Sequence, residues 1–244
     1  MLTSMSDTQR ERSAVIFGAR NLGRAIVERL RGDGWEVTAV ARSDSTLQTA
    51  SAAGAVAVRG DVTDPDSVHA ALDEAARAHG GVDLVVNAAS AYGGSRTGPF
   101  GGGPLAQAAP DAFDAWAAAP GRAAFTFLST SARFALQQDR PATLIQVTGG
   151  SSRRAMSGRG LWAAGAFGVR AITQAAALEL RERGIHVALL IVDAGIEPFE
   201  GGTGDPATAD PREIAQAVVF LAEQGARAAT HELQVTPLAE RWVP

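Results

Sequence analysis

The sequence predicts an α/β domain built on a doubly wound, parallel β-sheet, and three observations support this fold class. Short apolar runs alternate with amphipathic segments across residues 13–235, as strands alternate with helices in such domains. The first run, residues 14–17, leads through a glycine turn into an amphipathic helix that begins at Leu22. The length of 244 residues suits one domain of this class with a full core.

The strand, turn and helix within residues 13–31 predict the phosphate-binding start of a dinucleotide-binding domain. Amides at the start of a helix point at an anion, and glycines let the anion approach the backbone closely. The turn has two glycines, Gly18 and Gly23, where the general fingerprint has three. The alternative is an ordinary strand-to-helix turn of an α/β domain.

The other elements follow in order along the chain. Further strands are predicted at 36–41, 55–59, 82–86, 142–148, 186–192 and 231–235, and further helices at 44–53, 65–79, 112–138, 161–183 and 211–223. Asp64 before Pro65 is expected to cap its helix, and Pro120 is expected to kink or break the helix that contains it. Residues 91–110 are predicted to form a long glycine- and proline-rich loop, whose length indicates function or mobility.

Composition excludes several classes of function. A net charge of -4 leaves no basic footprint for nucleic acid, and no apolar run is long enough for a membrane span. There is no cysteine, and the four histidines lie far apart, so we expect no disulfide and no metal site. Residues 1–12 are polar and are expected to form a disordered lead to a single cytoplasmic domain at 13–244. All 22 basic residues are arginine, and the one tyrosine is Tyr92.

Several pieces of the chain, in this order and spacing, are similar to short-chain dehydrogenases/reductases. They are GARNLGRAI at 18–26, DVTD at 61–64, VNAA at 86–89, TLIQVTGGSS at 143–152, GVRAITQAAALELRERGIHV at 168–187 and PREIAQAVVFLA at 211–222. The resemblance covers nearly the whole chain. It implies a Rossmann-type sheet of about seven strands, flanked by helices, with bound NAD(P)(H).

The resemblance also implies which residues contact the cofactor. They are Gly18, Arg20, Asn21, Leu22, Gly23, Arg42, Asp61, Val62, Asn87, Ala88, Ala89 and Gly195. Asp61 and Val62 are expected along the adenine, and Asn87 and Ala88 near the ribose; the alternative for Asp61 is a cap or turn residue. The glycine turn departs from the family pattern G-x-x-x-G-x-G. With its last glycine at Gly23, Asn21 takes the middle position.

The choice of nicotinamide cofactor is predicted from two arginines. Ala41-Arg42-Ser43 stands where an acidic residue would bind the 2'-hydroxyl of NAD, and Arg20 lies in the glycine turn. Planar guanidinium groups pair well with phosphate oxygens, so NADP(H) is favoured over NAD(H). Asp44 lies nearby as a complication, and the alternative is that both arginines are solvated surface groups.

The family's proton-delivery residues are replaced in this chain. The resemblance implies a tyrosine acid and a lysine four residues later, which fall on Trp162 and Ala166. The serine position falls on Gly149 and the asparagine position on Pro120. An indole donates a hydrogen bond but is no useful acid.

Three residues are candidates for a substitute catalytic set. Tyr92 is the candidate acid, Ser151 a group that polarises an oxygen, and Arg153 a nearby positive charge, with Ser152 and Arg154 as neighbouring options. The alternative is that Tyr92 packs in a loop and the arginines are solvated.

Three functions remain open from the sequence. The first is an atypical NADPH-dependent reductase with a non-standard proton donor or an acceptor that needs none, such as an iminium. The second is a non-catalytic NADP(H)-binding sensor or an inactive partner subunit. The third is a serine hydrolase using Ser151, Asp193 and His231, although GGSSR does not match G-x-S-x-G.

The expected partners are a small-molecule ligand and further protein subunits. Trp162, Phe199 and Tyr92 are candidates to line the ligand pocket; the alternative for Trp162 is plain helix packing. The alanine-rich helix 161–183, with the helix at 112–138, favours a homo-oligomer, a dimer or tetramer as in the family, or a hetero-oligomer with an active relative.

Overall fold

The computed structural model describes residues 11–90 and 99–241, which form a seven-stranded parallel sheet with helices on both faces. The strands are β1 Ser13–Phe17, β2 Glu36–Ala41, β3 Val56–Arg59, β4 Leu84–Asn87, β5 Ala142–Gly149, β6 Ile185–Val192 and β7 Glu232–Val235. The α-helices in the described ranges are α1 Leu22–Gly32, α2 Asp44–Ala52, α3 Pro65–His79, α4 Ala119–Gln137, α5 Gly160–Leu180 and α6 Pro211–Ala222.

The strand order is β3-β2-β1-β4-β5-β6-β7, and every neighbouring pair is parallel. The chain starts at β1, moves outward to β3, and then returns to place β4 on the other side of β1. A crevice therefore opens beyond the carboxyl ends of β1 and β4, where open sheets of this kind bind ligands. The predicted doubly wound sheet of about seven strands is confirmed.

Two cores cover the two faces of the sheet. Successive side chains of a strand point to opposite faces, so Ala14 and Ile16 of β1 pack with α1 and α6. Val15 and Phe17 pack instead with α3, α4 and α5. Because both faces are covered, the central strands are apolar without alternation, which is why the sequence shows them as continuous runs.

Helix α3 begins with the cap that the sequence predicts. Asp64 accepts a hydrogen bond from the amide of Asp66 at 3.2 Å, and Pro65 is the first residue of α3. Gly184, with a φ of 73°, ends the helical segment that follows α5. Apart from the start of α4, the other predicted and observed bounds differ by up to three residues, as at the end of α5, where a 3-10 turn covers the last three predicted residues.

The expected break at Pro120 takes a different form. A π-helical turn, Asp114–Ala118, leads directly into α4, and Pro120 lies in the first turn of that helix. Ala118 and Ala119 both have α-helical dihedral angles, so Pro120 lies within one continuous helical stretch. The wider π-helical turn just before it accommodates the missing N–H, and the winding of the helix changes there instead of breaking. Gly165 of α5 packs against this junction, and a Cβ on Gly165 would lie 2.4 Å from the carbonyl oxygen of Trp116.

The predicted loop at 91–110 is described in part. Residues 91–98 lie outside the described ranges. From residue 99 the chain forms two short 3-10 turns, Phe100–Gly102 and Leu105–Gln107.

Candidate functional site

A cleft of about 860 Å³ lies over the carboxyl ends of the strands. It runs from the ends of β2 and β3, across β1 and β4, to the ends of β5 and β6. Its described lining is Phe17–Leu22, Val40–Ser43, Thr46, Gly60–Thr63, Asn87–Ser90, Ala115, Trp116, Pro120, Ala123, Ala124, Gln146–Gly149, Trp162, Ala166, Val169, Val192, Ala194 and Ile196. This size suits a ligand of cofactor dimensions.

The glycine turn between β1 and α1 requires both of its glycines. Gly18 has a φ of 84°, and a Cβ there would lie 2.5 Å from the Cα of Ala89. A Cβ on Gly23 would lie 2.3 Å from the carbonyl oxygen of Gly18. The turn is therefore packed tightly against both the β4 end and its own helix, and it leaves the cleft side open.

The start of α1 faces this cleft without a side-chain cap. Asn21 is the N-cap residue, but its side chain makes no capping hydrogen bond. The first amides of a helix have no intrahelical acceptor. The helix dipole adds positive potential at the same point, so the residues from Leu22 onward present an anion-binding end to the cleft.

The first end of the cleft, beyond β1, β2 and β3, carries its charged side chains. Arg20 and Arg42 are exposed there, and a nitrogen of Arg42 lies 3.4 Å from a carboxylate oxygen of Asp61. Asp61 also accepts hydrogen bonds from the amide and hydroxyl of Thr63, at 2.9 and 2.8 Å. Burial opposes ionisation of Asp61, but the Thr63 bonds and Arg42 outweigh it and lower the pKa of this carboxyl.

The middle of the cleft is held by a buried amide pair. Asn87 ends β4, and its side chain donates to the side-chain oxygen of Gln146 on β5 at 3.0 Å. The Asn87 oxygen accepts from the amide of Ala89 at 3.1 Å. These bonds fix the backbone of Ala88 and Ala89, which line the cleft opposite the glycine turn.

The second end of the cleft, beyond β5 and β6, is lined by neutral side chains in the described residues. Trp162 and Ala166 lie one helical turn apart on α5, and Gly149 ends β5. The indole of Trp162 would lie 3.6 Å from a Cβ on Gly149. Pro120 and Trp116 complete this wall.

An aromatic cluster packs behind this wall. The ring of Phe100 meets Trp116 and Trp162 edge-to-face, with ring centroids 5.0 and 4.7 Å apart. The guanidinium of Arg159 lies 5.3 Å from the centroid of Phe100. The cluster fixes the position of both indoles, so each of them packs against Phe100 and also lines the cleft.

Most of the cofactor residues expected from the sequence meet in this cleft. Gly18, Arg20, Asn21, Leu22, Arg42, Asp61, Val62, Asn87, Ala88 and Ala89 all line it. Gly23 acts one layer behind, through its contact with Gly18. Gly195 is exposed between two lining residues and does not line the cleft itself.

The candidate catalytic set is not assembled in the described residues. Ser151 is buried in a 3-10 turn outside the cleft lining, because the turn directs its hydroxyl into the protein. Arg153 donates to the side-chain oxygen of Gln234 on β7 at 3.0 Å, which draws it away from the cleft. Tyr92 lies outside the described residues.

The serine hydrolase arrangement is also not formed. The Asp193 carboxylate is held by two bonds from Arg154, at 2.6 and 3.0 Å. His231 lies 3.2 Å from the backbone oxygen of Val187, toward the opposite end of β6 from Asp193. The histidine and the carboxylate thus belong to different ends of the sheet.

Sequence reasoning missed several features of this site. Phe199 is buried between two guanidiniums, 4.5 Å from Arg24 and 4.0 Å from Arg212, and does not line the cleft. Trp116 lines it unpredicted, and no local pattern indicated this, because its position depends on the π-helical turn. Arg154, which the sequence analysis offered as a positive charge for catalysis, instead donates two hydrogen bonds to the carboxylate of Asp193.

Within residues 11–90 and 99–241, no group of three or more potential ligand side chains is arranged to hold a metal ion. No helix within these ranges has the length and apolar character to cross a membrane.

Comparisons with known proteins agree with this geometry. The family model for short chain dehydrogenases matches residues 12–195. The short-chain dehydrogenase/reductase eriH of Hericium erinaceus is 30% identical over 241 residues, covering 88% of this chain and 91% of that relative.

Solved structures share the fold. A metagenomic short-chain oxidoreductase in complex with NADP is 25% identical, with a TM-score of 0.72, and the match covers 94% of this chain and 98% of that one. An alcohol dehydrogenase from Thermococcus sibiricus, complexed with 5-hydroxy-NADP, is 21% identical with a TM-score of 0.76, covering 96% and 100%. The chain therefore belongs to the short-chain dehydrogenase/reductase family.

Proposed function

We propose that this chain binds NADP(H) in the cleft and is an NADPH-dependent reductase that works without the family's tyrosine–lysine couple. The observation that carries the proposal is the uneven charge of the cleft. Among the described lining residues, the ionisable ones are Arg20, Arg42 and Asp61, all at its first end. The side chains of the described residues that line the second end are all neutral. Recognition of the anionic part of the cofactor and transfer of the hydride would therefore take place at opposite ends of the cleft.

The residues present fit a dinucleotide. The tight glycine turn leaves the cleft side open, as a closely approaching diphosphate requires. The uncapped start of α1 supplies amides and a favourable dipole at the same place. We therefore assign the diphosphate to the residues from Gly18 to Gly23, and the adenine to Asp61 and Val62.

The two arginines favour NADP(H) over NAD(H). Arg20 and Arg42 line the end where the adenosine ribose would lie, and Arg42 has a partner, Asp61, only at 3.4 Å. A 2'-phosphate offers such guanidiniums a stronger, charge-assisted partner. The 25% identical metagenomic relative is itself a complex with NADP.

Hydride chemistry at the second end of the cleft would differ from that of the family. Bound NADPH supplies a hydride; a carbonyl acceptor then needs one proton, whereas an iminium acceptor needs none. Trp162 offers only an N–H donor, and Ala166 and Gly149 offer no side-chain polar group. The described residues would thus shape the space for an acceptor without supplying a side-chain acid. Tyr92, two residues after Ser90 of the cleft, stays the candidate acid from the sequence.

The same replacements favour a second candidate, a non-catalytic NADP(H)-binding sensor or partner subunit. The positions matched to the family's catalytic residues hold Trp162, Ala166, Gly149 and Pro120, and all four line the cleft. A chain that keeps a nucleotide site while replacing these groups suits binding better than turnover of a carbonyl.

Titration with NADPH, followed by assays on carbonyl and iminium acceptors, tests both candidates. Saturable binding with turnover supports the reductase; loss of turnover in Tyr92→Phe identifies the acid. Binding without turnover supports the sensor or partner subunit, and absence of nucleotide binding refutes both. The combined variant Gly149→Ser, Trp162→Tyr, Ala166→Lys is expected to gain carbonyl reduction, since it supplies three of the four side chains that the family uses.

We also propose a homo-oligomer formed through α4 and α5. These helices pack side by side and expose apolar side chains: Phe125 is 59% exposed, Phe167 43% and Leu178 67%. Large apolar groups at this density on adjacent helices are typical of an interface between subunits.

A further inference from the structure

We infer that Asn21 is a positioning residue whose side chain latches the segment after β6 to the start of α1. Its amide nitrogen donates to the backbone oxygen of Glu197 at 2.8 Å, and its oxygen accepts from the backbone amide of Phe199 at 2.7 Å. These two bonds, called here the Asn21 latch, use both ends of one side-chain amide. They join chain positions that are 176 and 178 residues apart.

The latched segment is also held by charged side chains from two helices. Phe199 is buried with Arg24 of α1 on one face of its ring and Arg212 of α6 on another. Arg212 donates to the backbone oxygen of Phe199 at 3.0 Å. Glu200 pairs with Arg24 at 2.7 Å. The segment is therefore a built part of the cleft rim.

The latch acts on the wall of the proposed nucleotide site. Asn21 and Ile196 both line the cleft, and the chain passes directly from Ile196 into the latched Glu197. Because the side-chain amide of Asn21 forms its hydrogen bonds with this segment, it does not cap α1, and the first backbone amides of the helix stay directed at the cleft. The latch keeps this wall in place and thereby slows release of the nucleotide; this effect on release rests on the proposed binding of NADP(H).

Amide hydrogen exchange in the nucleotide-free protein tests the latch directly. In Asn21→Ala, the Phe199 amide loses its acceptor and should exchange about tenfold faster, as expected for loss of a net hydrogen bond of ordinary strength. The Gly80 amide is an internal control, since it donates to the Ala76 carbonyl at 2.8 Å at the end of α3, away from the latch. Gln216→Ala, an exposed change on α6, is the matched control variant. Unchanged exchange at Phe199 overturns the latch.

Stopped-flow release of NADPH tests its consequence. Asn21→Ala should release NADPH about tenfold faster, and its unfolding midpoint should fall only slightly, by the loss of the two latch bonds. Asn21→Gln, with the same donor and acceptor on a longer arm, should recover part of the slow release. Unchanged release in Asn21→Ala, or no recovery in Asn21→Gln, refutes the positioning role. If the wild-type protein binds no NADPH, the proposed function fails, and amide exchange alone decides the latch.

Discussion

Replacing Arg20 by alanine should weaken binding of NADPH and leave binding of NADH nearly unchanged. Arg20 lines the first end of the cleft, the end proposed to hold the adenosine ribose. NADPH and NADH differ only by the 2'-phosphate on that ribose. NADH presents a hydroxyl at that position, which gains little from a cation. The variant is therefore expected to lose selectivity and to keep its fold, since the side chain is exposed.

The size of the effect follows from the exposure of the two arginines. A hydrogen bond to a charged partner contributes about 1.5–3 kcal/mol, and solvent screening at an exposed site favours the lower end. About 1.4 kcal/mol corresponds to a tenfold rise in Kd. Arg42→Ala should raise the Kd for NADPH by less, because Arg42 lies 3.4 Å from Asp61 and would divide its attraction between that carboxylate and the phosphate. The double variant should fall short of the sum, since both groups would contact one phosphate.

The assay is a fluorescence titration with NADPH and with NADH at low and high salt. Salt should reduce the difference in Kd between the two nucleotides in the wild type, and should reduce it less in the variant, where only Arg42 remains to be screened. Arg29→Ala is the matched control, since Arg29 lies on α1, outside the cleft lining, and pairs with Asp33 at 2.7 Å. An equal loss for both nucleotides, or no loss for either, would falsify the assignment of Arg20 to the 2'-phosphate.

Three more predictions follow from the geometry. Gly18→Ala should unfold at lower denaturant and lose NADPH binding, because its Cβ would overlap Ala89 at a φ of 84°. Burial lowers the pKa of His186, the nearby His231 adds to this, and together they outweigh the bond to Thr230. The folded protein therefore binds a proton here less readily than the unfolded chain, and the free energy of unfolding should fall as the pH drops below 6.5. Urea unfolding of His186→Asn should show a smaller fall. Phe125→Glu with Phe167→Glu should yield monomers in light scattering.

Each of these predictions has a control. Gly32→Ala, with nothing within 4 Å of the added Cβ, should be tolerated; equal damage at both glycines would contradict the packing argument. Gln48→Asn, an exposed change on α2 that adds and removes no titrating group, should keep the wild-type pH profile of stability. A flat profile in the wild type would remove the role of His186. Phe220→Glu, on α6, should leave the subunit number unchanged; a wild-type monomer would refute the proposed interface.

Local patterns in the sequence were sufficient for the fold because they encode local geometry. The start of α1 at Leu22 and the cap of α3 at Asp64 follow from helical spacing and from a side chain two residues from its partner. The parallel, doubly wound sheet was predicted as well, because strands alternate with helices along the chain. The sequence likewise identified most of the charged end of the cleft, because those residues directly follow strands.

Contacts between distant parts of the chain were not predictable in this way. Ser151 and Arg153 follow β5 as the argument required, but a 3-10 turn buries the first, and Gln234 of β7 binds the second. The partner of Asn21 lies in a segment without a periodic pattern, so nothing near Asn21 indicated it. Phe199 was expected in the pocket from its type alone, yet two arginines determine where its ring lies.

The contact of Gly165 with the Trp116 carbonyl has a consequence for how such a protein can change. Any side chain at 165 would push α5 away, so this one notch sets the depth and rotation of the helix. The contact holds α5 at position 165, between the two cleft-lining positions Trp162 and Ala166. The wall at the second end of the cleft therefore depends on a glycine that does not itself line it.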